Sequence, residues 1–455
     1  MTKISISTLA GIFITFIIYY TALIFIHLEN TLLIHLFFAM TFTVLIALYK
    51  NKITSPPSLF LLTSVLFLSI RPVLSLIQPN QFNYKVADWF IYGEQSNNNL
   101  ITANMILISM FCGYAISFFV FKQIKNTSQN YSIVISGRLK SILIIIYTIG
   151  SISIVITGLH NWFIVQTEGY LSIYNNYTPP PFNIDKLTYL FYVGFFLLCA
   201  LAPNLRTNKI FLLSSIAICL FSTLKGSRGE FITFFLTIAS IYFSEKKTNN
   251  LLLIIKMIVI FSLLFIVSEF ISMWRSNGNF SELMLGKGNP ALNFIYGIGV
   301  SYLTLVQSAD IVSNNIIGDI QPYYFLFSQP ILVIDKIFNL NIDPTLISYS
   351  HFISNYSNAI QYSEGAGLGG SYIAEAYSLG GYTACFLLAF LLMSMTYYGY
   401  LKSKSDWRVY YIFYTSLPSI LFIPRETYFY YIPFVIKGVI VVLIFSLLIK
   451  KDCHE

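Results

Sequence analysis

The chain is poor in charge. Only 10% of its 455 residues are Asp, Glu, Lys or Arg, where a soluble domain carries about 25%. With 56% hydrophobic residues and a mean hydropathy of +0.70, that shortfall excludes a water-soluble globular fold. Cysteine is scarce too. Cys112, Cys199, Cys219 and Cys385 lie inside apolar runs and Cys453 is in the tail, so there is neither a disulfide framework nor a CxxC metal pattern. Carboxylates are not clustered and no DxD pair occurs, so the sequence offers no metal site, and no cofactor is expected. The glycines of 365–370 follow no predicted strand, so they are no dinucleotide fingerprint. Repeats and low-complexity tracts are missing. The net charge of +8 is spread over short loops and not gathered into a basic face, so no nucleic-acid partner is expected.

What the chain does have is apolar length. Runs at roughly 4–26, 31–48, 58–78, 101–122, 139–157, 187–205, 210–224, 230–244, 251–273, 378–400, 409–424 and 430–449 predict an all-α, polytopic membrane protein of about twelve spans, folded as one transmembrane domain over 1–455. The first run is longer than a signal-peptide core and no small-residue cleavage site follows it, so it reads as an uncleaved span. The 33 Tyr and 41 Phe suit interfacial belts and lipid-facing positions, making membrane lipids the surrounding partner.

Charge sets the orientation. With Lys3 in the cytoplasm, the alternate loops on the same side hold 16 of the 27 basic residues but only four of the 19 acids, Glu245, Asp406, Asp452 and Glu455. That asymmetry predicts both termini inside. The outer side then carries loop 79–100 with Trp89, loop 158–186 with His160, and the stretch 274–377 between spans nine and ten. The last is too long for a connector. Its apolar piece Ala291–Val312 is expected to lie against the bundle as an interfacial or re-entrant helix.

A few cations fall on the disfavoured outer side: Lys225, Arg228, Arg275, Lys287 and Arg425. Cations stranded there are expected to meet an anion, and for a multi-span chain of bacterial character that anion is a lipid-linked phosphate or pyrophosphate. In Lys225-Gly226-Ser227-Arg228-Gly229-Glu230, the glycines permit close backbone approach. The next helix start adds free N–H groups, and Arg228 a bidentate fork. The alternative is an Arg228–Glu230 pair or snorkelling to head groups. Pro424-Arg425-Glu426 is a similar tight turn, with a local Arg425–Glu426 pair as its bland reading. Trp274-Arg275 and Lys287 stand at the outer end of span nine, where Trp274 is also a plain interfacial anchor. Arg71 lies inside span three and Lys437 inside span twelve, where charges are paired or functional. His351 lies in a polar outer segment, followed by Glu364 and the run Gly365–Ser371, then Glu375 and Tyr377. A histidine near its own pKa can accept a proton from a hydroxyl. Asp310, Asp343 and Glu364 compete with it as bases.

Three segments, in this order and topological placement, resemble the Wzy-type O-antigen polymerases: Gly226-Ser227-Arg228-Gly229-Glu230; Gly367-Leu368-Gly369-Gly370-Ser371 with Glu375, Tyr377 and Gly380; and Arg425-Glu426 before the last span. Overall length, span count and the long outer loop in the second half agree. The resemblance implies a GT-C-like, metal-independent glycosyltransferase of the bacterial inner membrane. It would move a glycan from undecaprenyl pyrophosphate onto an incoming lipid-linked oligosaccharide at the periplasmic leaflet, with a chain-length-determinant co-polymerase as partner. On this reading Arg228 and Arg425 bind the donor pyrophosphate and Arg275 assists. Lys225, Lys287, Arg71, Glu364 and Glu426 line the substrate, and His351 or a carboxylate such as Glu375 activates the acceptor. A flippase for lipid-linked oligosaccharide and an O-antigen ligase are the alternatives.

Overall fold

In a computed structural model, the residues described are 31–79, 82, 91, 95–121, 135–168, 172, 178–225, 229–244, 290–318 and 321–452. The helices run in chain order α1 (Thr31–Lys50), α2 (Pro56–Ile77, with a π turn at Val65–Ser69), α3 (Asn97–Val120), α4 (Gly137–Glu168), α5 (Thr188–Leu201), α6 (Lys209–Leu220) and α7 (Gly229–Ser244). Then come α8 (Pro290–Ile298), α9 (Ser301–Ser313), α10 (Gln321–Leu326), α11 (Ser328–Phe338), α12 (Pro344–Ile347), α13 (Tyr349–Ser357) and α14 (Ala359–Ser363). The last three are α15 (Tyr372–Ser403), α16 (Trp407–Phe422) and α17 (Ile432–Asp452). Among the described residues there is no strand.

Among the described residues, seven helical stretches are long and apolar enough to cross a bilayer: Leu32–Lys50, Pro56–Ile77, Asn97–Val120, Gly137–Glu168, Pro181–Leu201, Tyr372–Ser403 and Ile432–Ile449. The protein is therefore a multi-pass membrane protein. The expected runs 210–224, 230–244 and 409–424 form shorter helices, Lys209–Leu224, Gly229–Ser244 and Trp407–Phe422. The expected spans 4–26 and 251–273 lie outside the described residues.

The chain divides into two compact units. The first takes residues 1–124, 291–397 and 423–430. In it α3 packs against α1 and α9. The apolar piece 291–312 is not one surface-lying helix. It is broken at Gly299–Val300 into α8 and α9, and α9 is buried at every position from Ser301 to Ala309. Its polar side chains make that burial tolerable: Tyr302 donates to Asn104 Oδ1 (3.1 Å), Gln307 to Gln95 Oε1 (3.1 Å), and Ser308 bonds the Tyr349 hydroxyl. α15 is likewise interrupted, at Gly380 and Gly381, where Gly381 has φ 62°. Only glycine takes that conformation freely, so residues 372–379 form a separate short helix ahead of the long apolar one.

The second unit takes 125–290, 398–422 and 431–455. Its centre is the crossing of α4 and α5. A Cβ built on Gly150 would fall 2.0 Å from the Phe191 nitrogen, and one on Gly194 2.7 Å from the Tyr147 Cα. The two glycines let the backbones touch, the way helices associate without a hydrophobic drive between them. Arg206, one of the 16 basic residues that the charge asymmetry assigns to the cytoplasmic loops, is fully buried here. It donates to the carbonyls of Cys199 and Ala200 (3.1 Å for the latter) and lies 4.3 Å above the Tyr410 ring. Its cation satisfies the end of α5.

Candidate functional site

The polar centre of the first unit is built from α13, the loop that follows α14, the start of α15 and the turn after α16. Sequence explains each part. Ser348 and the Asp343-Pro344 start of α12 set up two short helices. Asn358 caps α14 by accepting from the Gln361 N–H (3.1 Å). Gly365 and Gly369 then take φ 91° and 78°, which turn the chain back over α13.

The loop is pinned at Leu368. Its N–H donates to Ser354 Oγ (3.1 Å), which itself donates to the Ser350 carbonyl (2.7 Å). The Leu368 side chain is buried with Ile91 and Leu303. So held, the loop backbone lies against the turn Ile423–Arg425 and its continuation. A Cβ on Gly369 would sit 3.7 Å from the Arg425 carbonyl oxygen and 3.8 Å from its Nε. One on Gly370 would sit 3.3 Å from Ser350 Cβ and 3.5 Å from Glu426 Cα. Larger residues would push the loop off the arginine turn.

Glu375 joins the same place from the first turn of α15. It is 1% exposed. Its Oε2 accepts the Tyr428 N–H at 2.9 Å. Its Oε1, the Ser371 Oγ and the Thr427 Oγ1 are buried without a hydrogen-bond partner among the described residues. Beneath them Tyr372 bonds Tyr114, whose hydroxyl meets Ser64 Oγ at 3.0 Å.

His351 stands on the exposed side of α13, directly after Ser350. Its Nδ1 is 3.0 Å from the Tyr362 hydroxyl. Surrounding protein atoms pull its pKa below the ordinary histidine value, and the Asp343 carboxylate partly opposes that. Asp343 is held in its anionic form by the Thr345 N–H (2.9 Å). The imidazole is thus kept neutral at neutral pH, the state a general base requires.

Of the residues singled out by sequence, Arg425, Glu426 and Glu375 meet at this loop and turn, and His351 stands on α13 one residue past Ser350, the residue that Gly370 approaches. Glu364 begins the loop and is exposed. Arg71 belongs to the same unit but is committed elsewhere: it is 3% exposed, donates to the Tyr296 carbonyl (3.1 Å) and lies 4.6 Å from the Tyr296 ring. Asp310 accepts from Asn99 (3.0 Å), Asn314 (3.3 Å) and Tyr356 (2.7 Å), so it ties helices together. Lys225 ends a short helix, Phe221–Lys225, in the second unit. Lys437 lies over the Tyr189 ring at 4.9 Å. Arg228, Arg275 and Lys287 lie outside the described residues. Sequence reasoning missed Ser350, Ser354 and Tyr428, which carry no chemical signature by themselves. Among the described residues no group of His, Cys, Asp and Glu is arranged to hold a metal ion.

The sequence model of the family described as O-antigen polysaccharide polymerase Wzy matches residues 4–453. No curated protein and no solved structure matches the chain.

Proposed function

Because the chain belongs to the O-antigen polysaccharide polymerase Wzy family, we propose that it joins lipid-linked oligosaccharide repeat units, transferring the growing glycan from undecaprenyl pyrophosphate to the incoming unit at the periplasmic face of the inner membrane. The observation that carries this reading is the seat of Arg425. A cation on a tight turn is packed on a glycine loop, and a buried carboxylate fastens that turn through the Tyr428 N–H.

The chemistry follows from those groups. The acceptor hydroxyl attacks the anomeric carbon and the sugar–pyrophosphate bond breaks. Negative charge grows on the leaving pyrophosphate, and a preorganised guanidinium stabilises it more in the transition state than in the ground state. Arg425 takes that role. His351, neutral and open to one side, accepts the hydroxyl proton. Glu364 and Glu426 offer carboxylates to sugar hydroxyls. Glu375 positions the site by holding the Tyr428 N–H and so the turn that bears Arg425. Arg71 holds α8 through Tyr296 and stands back from the substrate.

Lys225, Arg228, Arg275 and Lys287 are assigned to the same class of anion on the charge argument of the sequence alone. The same reading includes about twelve spans in a GT-C-like arrangement, cytoplasmic termini, catalysis by guanidinium groups without a metal, and a chain-length-determining co-polymerase.

The lipopolysaccharide banding pattern of a deletion strain tests it. Core bearing a single repeat, converted to a ladder by the wild-type chain and not by Arg425→Ala, supports the assignment and the site. Bare core in the deletion strain points instead to a ligase or a flippase. A ladder restored by Arg425→Ala removes Arg425 from the machinery.

A further inference from the structure

Outside this site, α11 presents a largely exposed apolar face. Phe327, Ile331, Ile334 and Phe338 follow one another at spacings of four, three and four, so they share one side of the helix. Phe327 is 47% exposed, Ile334 48% and Phe338 68%, and Leu340 just beyond the helix is 54% exposed. The polar side turns inward: Ser328 is fully buried, and Asp335 Oδ1 accepts the Ile342 N–H at 3.1 Å. From 321 to 342 the chain carries only two charges, Asp335 and Lys336. A continuous apolar face of this kind is not left in water.

Its position in the fold says what covers it. The Phe327 ring packs on Phe429 with centroids 5.4 Å apart, and Phe429 packs on Tyr428 at 4.9 Å. Phe429 stands three residues ahead of Ile432, where the membrane span α17 begins. The start of α11 therefore sits at the level where the chain enters the bilayer. Tyr323 and Tyr324 on the preceding α10 are 57% and 50% exposed. Such aromatics, apolar in body and polar at the tip, settle at the head-group boundary. At about 1.5 Å per residue, the 11 residues of α11 fall well short of the roughly 30 Å hydrocarbon thickness. The helix can lie on the membrane but cannot cross it.

We propose that α11 lies in the head-group layer of the leaflet at which α17 begins, with its Phe327–Ile334–Phe338 face covered by lipid acyl chains. The long segment between α9 and α15 is then anchored to the membrane at its middle, and the loop and turn around Arg425 are held at the bilayer surface. This placement is independent of the transferase reading.

The test uses the full chain in nanodiscs of phosphatidylethanolamine and phosphatidylglycerol. The five native cysteines are replaced by alanine, and an environment-sensitive fluorophore is attached at Ile334→Cys or at Phe338→Cys. The expected result is a blue-shifted emission at 334 and 338 that doxyl-labelled lipid quenches and aqueous iodide does not. Iodide quenching at 334 and 338 overturns the proposal. Quenching there by neither agent also overturns it, since protein, such as a second copy of the chain, would then cover the face. Both substituted side chains are exposed, so either variant can report if the other misfolds.

Discussion

Tyr428 gives its backbone N–H to Glu375 Oε2 over 2.9 Å, across 53 positions of sequence. That bond fastens the turn after α16 to the first turn of α15, and both partners are buried. It is the link through which a carboxylate fixes the backbone that displays Arg425.

Removing the acceptor leaves a buried N–H without a partner, which costs about 1–3 kcal/mol. Glu375→Ala is therefore expected to lower the thermal unfolding midpoint of the purified protein and to weaken the lipopolysaccharide ladder. Glu375→Gln keeps an amide oxygen for Tyr428 and should recover most of both. A Gln variant of native stability that makes no ladder would show that the carboxylate takes part in the chemistry directly.

Gly369 sets the gap between loop and arginine. At φ 78°, a side chain there costs on the order of 1–2 kcal/mol in backbone strain, which would shift the loop that lies against Arg425. Gly369→Ala should reduce polymerisation while the protein still folds and inserts. Arg425→Lys keeps the charge but loses the bidentate fork, so transfer in proteoliposomes should fall by about 10²–10³, the usual effect of losing one preorganised donor. Full transfer by the lysine variant would remove the case for a pyrophosphate clamp.

Several spans were legible because apolar length leaves its mark directly in sequence: 31–48 became α1, 58–78 became α2, and 430–449 overlaps α17. The Arg425 turn and the glycine run were legible as separate peculiarities. Their meeting was not, because two apolar helices, α15 and α16, stand between them in the chain and no local pattern encodes that return. Asp310 looked like a free carboxylate, since its donors Asn99 and Tyr356 lie far away in sequence. The stretch 291–312 looked like one helix because its hydrophobicity is continuous. The break at Gly299 comes from packing, where a Cβ would fall 2.4 Å from Ile70.

His351 gives the site a pH dependence. As the base it works unprotonated, so transfer should fall as pH drops through a pKa that burial holds below the usual histidine range. Asp343 opposes that shift by favouring the charged ring. Asp343→Asn removes the opposition, lowers the histidine pKa further and should move the acid limb to lower pH, while His351→Gln should abolish the limb together with most of the activity. Initial rates of glycan transfer on a lipid-linked repeat unit, measured across pH, check both. An acid limb that stays in place in Asp343→Asn would show that another group sets it.

Arg206 separates a packing role for a cation from a topological one. Sequence places it among the loop charges that orient the protein, yet its guanidinium is fully buried, hydrogen-bonded to the carbonyls of Cys199 and Ala200 and set over Tyr410. Arg206→Ala strips partners from two buried carbonyls and a cation from an aromatic face, a loss of about 3 kcal/mol or more. Arg206→Lys restores charge but cannot reach both carbonyls with a planar fork, so its recovery should be partial. Thermal unfolding in detergent reads this directly, because no bilayer is present to favour one orientation. If the charge served orientation alone, both variants would unfold at the wild-type temperature. The packing found here predicts a graded fall, with alanine lowest.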